Sequence, residues 1–314
     1  MNNPTAPAVV LADVAGYLPE NRVPASYFSQ FAENDDLADN IMFSAPAFRH
    51  HAAEGETSAD MMVSAARTLT ERHGDDYLDD VTVVLTHSQL PEVPVRGCGG
   101  ELADRLGLRP TTVLDVHNGG CAAFIHMLDL AAALLVAAGG GKALLGLAQN
   151  SASQIFTQEQ VRGKAQAAIP GDGAAAAVVS LDGPAGSPVL GLVTHSYGEY
   201  SADMTSVAEP DRRYWEAGTG EIHIIRPSEL DWFITNQPNR IFLRNWRDAL
   251  ELPEQRHPDT FDECGNLFGV GLPITLDTAV SDGRIQPGDV VMMSAFAHAG
   301  DFAGAAAIRW SDRH

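Results

Sequence analysis

The stretch "DVHNGGCAAFIHMLDLAAALLVAAGGGKALL" occupies residues 115–145, and its one thiol, Cys121, sits between a glycine pair and a long apolar run. The preceding "TTVLDV" (111–116) is β-branched and reads as a strand, while the alanine- and leucine-rich run up to Gly139 reads as a helix. A strand, a glycine turn and a helix start place the cysteine where the first helical N–H groups lack backbone partners. The helix dipole favours negative charge at that end, so a thiol there gains thiolate character. Gly119 and Gly120 permit a sharp turn and the close approach of a substrate. The other reading is a small apolar residue at a helix start, a common place for an unreactive cysteine. Cys98 and Cys264 are weaker candidates for a nucleophile.

Outward from this turn, strands alternate with helices. "AVVLADVAGYLP" (8–19), "VTVVLTHS" (81–88), "KALLGLAQ" (142–149) and "GDGAAAAVVSLD" (171–182) read as strands. "SADMMVSAARTLTERHG" (58–74) is a helix stopped by glycine, and "GGELADRLGL" (99–108) a short one. After "GPAGSP" (183–188) a similar rhythm returns. "VLGLVTHSYG" is a strand, "QPNRIFLRNWRDALEL" an amphipathic helix, and "GVGLPITLDTAVSDGRI" a helix. "GDVVMMSAFAHAG" and "GAAAIRW" are the last strands. The pattern predicts an α/β protein on a mainly parallel sheet, in two related halves, 1–183 and 184–314.

The charge of −21 argues against nucleic acid and anionic membranes, which carry the same sign. Three cysteines make no disulfide framework, the N-terminus lacks a secretory signal, and the longest apolar stretch is interrupted at Gly139-Gly140-Gly141. These features predict a soluble cytoplasmic protein.

Several stretches, in order, resemble the thiolase superfamily, and specifically β-ketoacyl-acyl-carrier-protein synthase III and its relatives. "ETSADMMVSAARTL" is similar to that family's second helix and "HNGGCAAFIHMLDLA" to its nucleophile elbow. "GDGAAAAVV" resembles the strand closing its first half, and "CGNLFGVGLPITLDTAVSDGRIQPGDVVMMSAF" its asparagine motif with the following helix and strand. The resemblance implies two βαβαβαββ-like halves in five αβαβα layers, a homodimer, and no tightly bound cofactor. It also implies an acyl-CoA or phosphopantetheine-carrier thioester as substrate. Glu92–Gly100 resembles the family's interface stretch, with Pro-Val-Arg-Gly in place of the usual aromatic.

The resemblance also implies a Cys-His-Asn set. The nucleophile falls on Cys121 and the asparagine on Asn266. The histidine position falls on Asn236, in "TNQPNRIF". In decarboxylative condensation, donors at the His and Asn positions stabilise an enolate oxyanion, each worth roughly 3–4 kcal/mol. Asn236 can donate through its amide but cannot act as a base. His298 and Asp301, in the loop before the final strand, are the candidate base and its orienting partner, and His117 is a rival base. Such a set resembles the natural-product branch that passes acyl groups to oxygen or nitrogen. Two other readings stand beside it: a decarboxylative β-ketoacyl synthase, and a non-catalytic partner subunit of one.

Arg240, Arg244 and Arg247, at i, i+4, i+7, are either a solvated helix face or a docking patch for an acidic acyl or peptidyl carrier protein. His50-His51 lack the spacing of a metal site, and no metal is expected. Gly171-Asp172-Gly173 lacks the features of a phosphate loop and reads as a structural turn.

Overall fold

Most of the predicted strands bury apolar residues, and the strands join into one sheet. The computed structural model describes residues 9–31, 44–91, 96–117, 119–159, 161–181, 186–196, 231–250, 252–297 and 302–311. The first half holds β1 (Val9–Tyr17), β2 (Asn21–Pro24), α1 (Ser26–Ser29), β3 (Phe48–His51), α2 (Ser58–His73), β4 (Val81–Ser88) and α3 (Gly99–Arg105). It continues with β5 (Thr112–Asp115), α4 (Ala123–Ala138), β6 (Lys142–Gln149), α5 (Ser151–Gln154) and β7 (Gly173–Leu181). The second holds β8 (Ser187–Ser196), β9 (Trp232–Thr235), α6 (Arg240–Leu250), α7 (Phe261–Cys264), α8 (Gly271–Ser281), β10 (Val290–Ala297) and β11 (Phe302–Arg309).

The strand order is β5-β4-β6-β7-β1-β8-β11-β10-β9, with a separate β2–β3 pair. The same sequence of pairings occurs twice. β1 is antiparallel to β7, β7 to β6, and β6 parallel to β4. β8 is likewise antiparallel to β11, β11 to β10, and β10 parallel to β9. β1 and β8 join the halves through Val10–Pro188 and Leu11–Ser187. The expected mainly parallel sheet is therefore corrected to a mixed one. Among the described residues only β4–β5, β4–β6 and β9–β10 run parallel. β10 and β11 are consecutive strands and pair antiparallel, as strands joined by a short stretch of chain must.

Buried residues of α4 and α8 share one core with both halves of the sheet, from Val83, Leu85 and Leu145 to Ile234, Met293 and Ala295. α2 and α3 pack on the far face of the first half through Met61, Met62, Leu69 and Leu102. α6 packs Leu243 and Trp246 against Phe261 and Phe296 beside the second. This gives the αβαβα layering. Helix Gly120–Ala138 has the length and composition of a membrane span, but in this fold it is the central core helix.

α2 begins with a capping box: Thr57 accepts from Asp60 N while the Asp60 carboxylate accepts from Thr57 N. The sequence reading does not include β9 or the antiparallel pair β2–β3, whose two short strands lie far apart in the chain.

Two buried histidines make the fold acid-sensitive. Burial, with Arg49 nearby, pulls His51 down to about 4, and burial with Arg247 pulls His257 down to about 3. Unfolded, each titrates near 6.5, so below that pH the unfolded chain binds more protons. Stability is then expected to fall by roughly 1.4 kcal/mol per pH unit per histidine, from pH 6.5 down towards pH 4. Urea midpoints between pH 7 and pH 5 test this, and His257→Gln should flatten the slope; an unchanged slope would refute the assignment.

Candidate active site

The turn that carries Cys121 is built by close backbone approach. Val116 N–H donates to Thr86 O at 2.7 Å, and His87 Nδ1–H to Val116 O at 2.8 Å, fixing the chain as it leaves β5. Gly120 then takes φ +48°, a left-handed conformation that favours glycine. Residues Gly120–Ala122 make one tight helical turn that runs directly into α4. Cys121 is 5 % exposed at this helix start, the end of the dipole that favours an anion. It forms no disulfide.

The other two thiols sit in a different electrostatic setting. Burial and the Asp115 carboxylate push Cys98 up to about 12, and burial and Glu263 push Cys264 up to about 12.

The turn Phe268–Val270 packs on the Cys121 turn. Gly269 makes this possible: a Cβ there would lie 2.5 Å from Gly120 O, 3.1 Å from Ala123 Cβ and 3.3 Å from His87 Cδ2. Gly269→Ala should cost about 1–3 kcal/mol through overpacking. It should also slow acylation of Cys121 about tenfold or more by displacing the thiol. Gly271→Ala, with nothing within 4 Å of its Cβ position, is the control in denaturation and acylation-rate measurements. Equal behaviour of the two variants would refute the steric account.

Asn266 stands two residues before that turn. Its Oδ1 accepts from Phe268 N–H at 2.9 Å, which leaves the Nδ2 hydrogens as the part of its side chain that can donate. Its backbone is paired with the Gly-Asp-Gly turn, Asn266 N to Ile169 O and Gly171 N to Asn266 O. Asp172 anchors the other side, accepting from Ala52 N, Ala152 N and Ser153 N at 2.8–2.9 Å. Burial pushes its pKa up, and these bonds oppose that. Asp172 is thus a structural knot, as the sequence predicted.

Asn236 follows β9 and is 0 % exposed. Its Nδ2–H donates to Phe296 O at 3.3 Å, and its Oδ1 accepts from Phe296 N–H at 3.2 Å. Neighbouring polar side chains are also engaged. Gln237 bonds Thr260 and Thr275, and Thr235 Oγ1 lies 2.9 Å from His257 Nε2. The expected oxyanion donor is therefore tied to the backbone of β10, the strand whose end packs on the Cys121 turn.

The three arginines do not form one free basic face. Arg240 pairs with Asp262, while Arg247 pairs with Glu254 at 3.3 Å and Asp259 at 3.7 Å. Arg244 is exposed. The acidic partners come from residues 254–262, beyond the reach of any helical spacing rule. His298, Asp301 and Glu92–Val95 lie outside the described residues. His117 is exposed beyond the end of β5. His50 Nδ1–H donates to Pro19 O, and no group of three potential metal ligands occurs among the described residues. A cavity of ≈ 580 Å³ opens beside His51, Glu56 and Gln154, sharing no lining residue with the Cys121 turn.

The buried His87 beside the elbow was not singled out from the sequence. The available signal was the three polar residues at the end of an otherwise apolar strand, "VVLTHS".

Comparison with known proteins accounts for this arrangement. Residues 114–198 match the description 3-oxoacyl-[acyl-carrier-protein (ACP)] synthase III, and residues 222–310 match its C-terminal part, together more than half of the chain. The chain belongs to the 3-oxoacyl-[acyl-carrier-protein] synthase III family. One family relative, β-ketoacyl-[acyl-carrier-protein] synthase III of Methylococcus capsulatus, is 29 % identical over 96 % of this chain and 98 % of its own. A Streptomyces coelicolor synthase III is 27 % identical over 84 % and 86 %. The Thermus thermophilus synthase III structure superposes with a TM-score of 0.81 at 23 % identity, covering 96 % of this chain and 99 % of that one. A variant of Xanthomonas campestris OleA gives 0.81 at 18 %, covering 97 % and 99 %. These structures show the thiolase fold.

Proposed function

We propose that this protein is an acyltransferase of a secondary-metabolite pathway. Cys121 takes an acyl group from a coenzyme A or carrier-protein thioester and hands it to an alcohol, amine or thiol. The observation that carries the reading is Asn236. The position where the family resemblance implies a histidine holds an amide, and that amide is bound to Phe296. It cannot take a proton.

In the acylation step, the Cys121 thiolate attacks the thioester carbonyl, a C–S bond forms, and the donor thiol leaves. Backbone N–H groups at the helix start and the Asn266 amide are the donors for the oxyanion. In the transfer step the acceptor loses its proton to a base as its heteroatom attacks, and the Cys121 thiolate is released. The base in this reading is His298, oriented by Asp301, an assignment that rests on the sequence resemblance.

A second reading, a decarboxylative β-ketoacyl synthase, is favoured by the names of the relatives. Homodimerisation is part of the proposal too, since β5 ends the sheet with Leu114 44 % exposed. An acyl carrier protein is the proposed delivery partner.

Intact mass spectrometry after exposure to a panel of acyl thioesters tests the first step, and a chase with hydroxyl and amine acceptors tests the second. Failure to self-acylate with every thioester would support the non-catalytic reading instead.

A further inference from the structure

The β9–β10 pairing runs in register from Trp232–Val291 to Thr235–Ser294. Asn236 N–H adds one more bond, to Ser294 O at 3.3 Å. The next bonds in a parallel ladder would come from the following peptide group. Here they come from the Asn236 side chain, which offers Phe296 both a donor and an acceptor, at 3.3 Å and 3.2 Å. A primary amide carries the same donor–acceptor pair as a peptide unit, so it can extend a ladder where the main chain turns away. On its other side β10 pairs with β11, where Phe296 stands opposite Ala303.

We propose that Asn236 is a positioning residue, a side-chain substitute for a peptide, that sets the end of β10 as one wall of the Cys121 turn. Phe296 turns its ring outward to Trp246, at 6.2 Å between centroids. Its neighbours Ala295 and Ala297 are 0 % exposed in the central core, which also holds Ala122 and Ala123. The height at which Phe296 is held therefore sets the position of β10, the strand that packs on the Cys121 turn. A histidine at 236 offers one donor and one acceptor on a rigid ring rather than on one amide plane, so it cannot reproduce this pair. Restoring the family's residue is then expected to loosen the site rather than to recover its chemistry.

The inference needs Cys121 to be a reactive thiol but does not need the acyl acceptor to be a heteroatom. The test uses the full chain and two readouts independent of acyl transfer: hydrogen exchange at the Phe296 amide and the alkylation rate of Cys121 with iodoacetamide. Asn236→Ala and Asn236→His should each speed Phe296 exchange tenfold or more and shift Cys121 alkylation severalfold. Far-ultraviolet circular dichroism should stay unchanged.

Asn236→Asp gives the specific signature. Its ionised carboxylate accepts from Phe296 N–H but repels Phe296 O, whereas the protonated acid donates and restores both bonds. The Cys121 alkylation rate in this variant, relative to wild type, should therefore move towards one as pH falls from 8 to 5.5. Wild-type Phe296 protection in Asn236→His, or a pH-independent ratio in Asn236→Asp, would overturn the proposal. If these results hold and no thioester acylates Cys121, the acyltransferase reading fails while the positioning role stands. If a variant fails to fold, the pH ratio in Asn236→Asp decides.

Discussion

Cys121→Ala is expected to abolish the acyl-enzyme completely, so that no thioester adds mass to the protein. The three thiols differ in their electrostatic setting. Cys98 and Cys264 are held near 12 by burial and neighbouring carboxylates. At pH 8 their thiolate fraction is on the order of one in ten thousand, too small to take over the reaction. Cys121 is at the start of a helix that runs on as α4, the end of the helix dipole that favours an anion. Cys98→Ala and Cys264→Ala should therefore retain the adduct, and the mass should map to the peptide containing residue 121. Fold is not at issue in the Cys121→Ala protein, because the substitution removes one sulfur from a densely packed core. Its melting temperature should stay within a few degrees of wild type. An adduct that persists in Cys121→Ala would refute the nucleophile.

His298→Ala should separate the two half-reactions. Loading consumes a thiolate and releases a thiol, so self-acylation of Cys121 should stay within a few-fold of wild type. Transfer needs a proton removed from the acceptor, and losing the base should slow it about 10²- to 10⁴-fold. Asn236 cannot compensate, since its amide has no basic site and both its polar atoms face Phe296. Stopped-flow loading and a quenched acceptor chase measure the two rates separately. Full transfer by His298→Ala would reject His298 as the base and direct the search to His117.

Much of the architecture is legible in the residues. The apolar periodicity of 58–73, the glycine turn before Cys121 and the apolar run in 142–149 identify their elements without any structure. The duplicated rhythm anticipates the repeated strand pairing. Parallel and antiparallel neighbours were not separable this way, because a buried strand shows the same apolar run in either sheet.

The site was legible only as far as local sequence reaches. Cys121 announces itself by its turn. The role of Asn236 depends on a backbone 60 residues away, and the neutralisation of Arg247 on Glu254 and Asp259 across a loop. His87 was hidden in an apolar strand, and its place beside the elbow depends on the bond to Val116 and on packing by Gly269.

The most direct test of the central claim is to incubate the protein with acetyl-CoA and malonyl-CoA, following carbon dioxide release and the mass of Cys121 together. Acyl transfer to heteroatoms predicts an acetylated or malonylated Cys121 with no β-ketoacyl product and no stoichiometric carbon dioxide. An acetoacetyl thioester formed in step with carbon dioxide release would contradict it and establish a condensing enzyme.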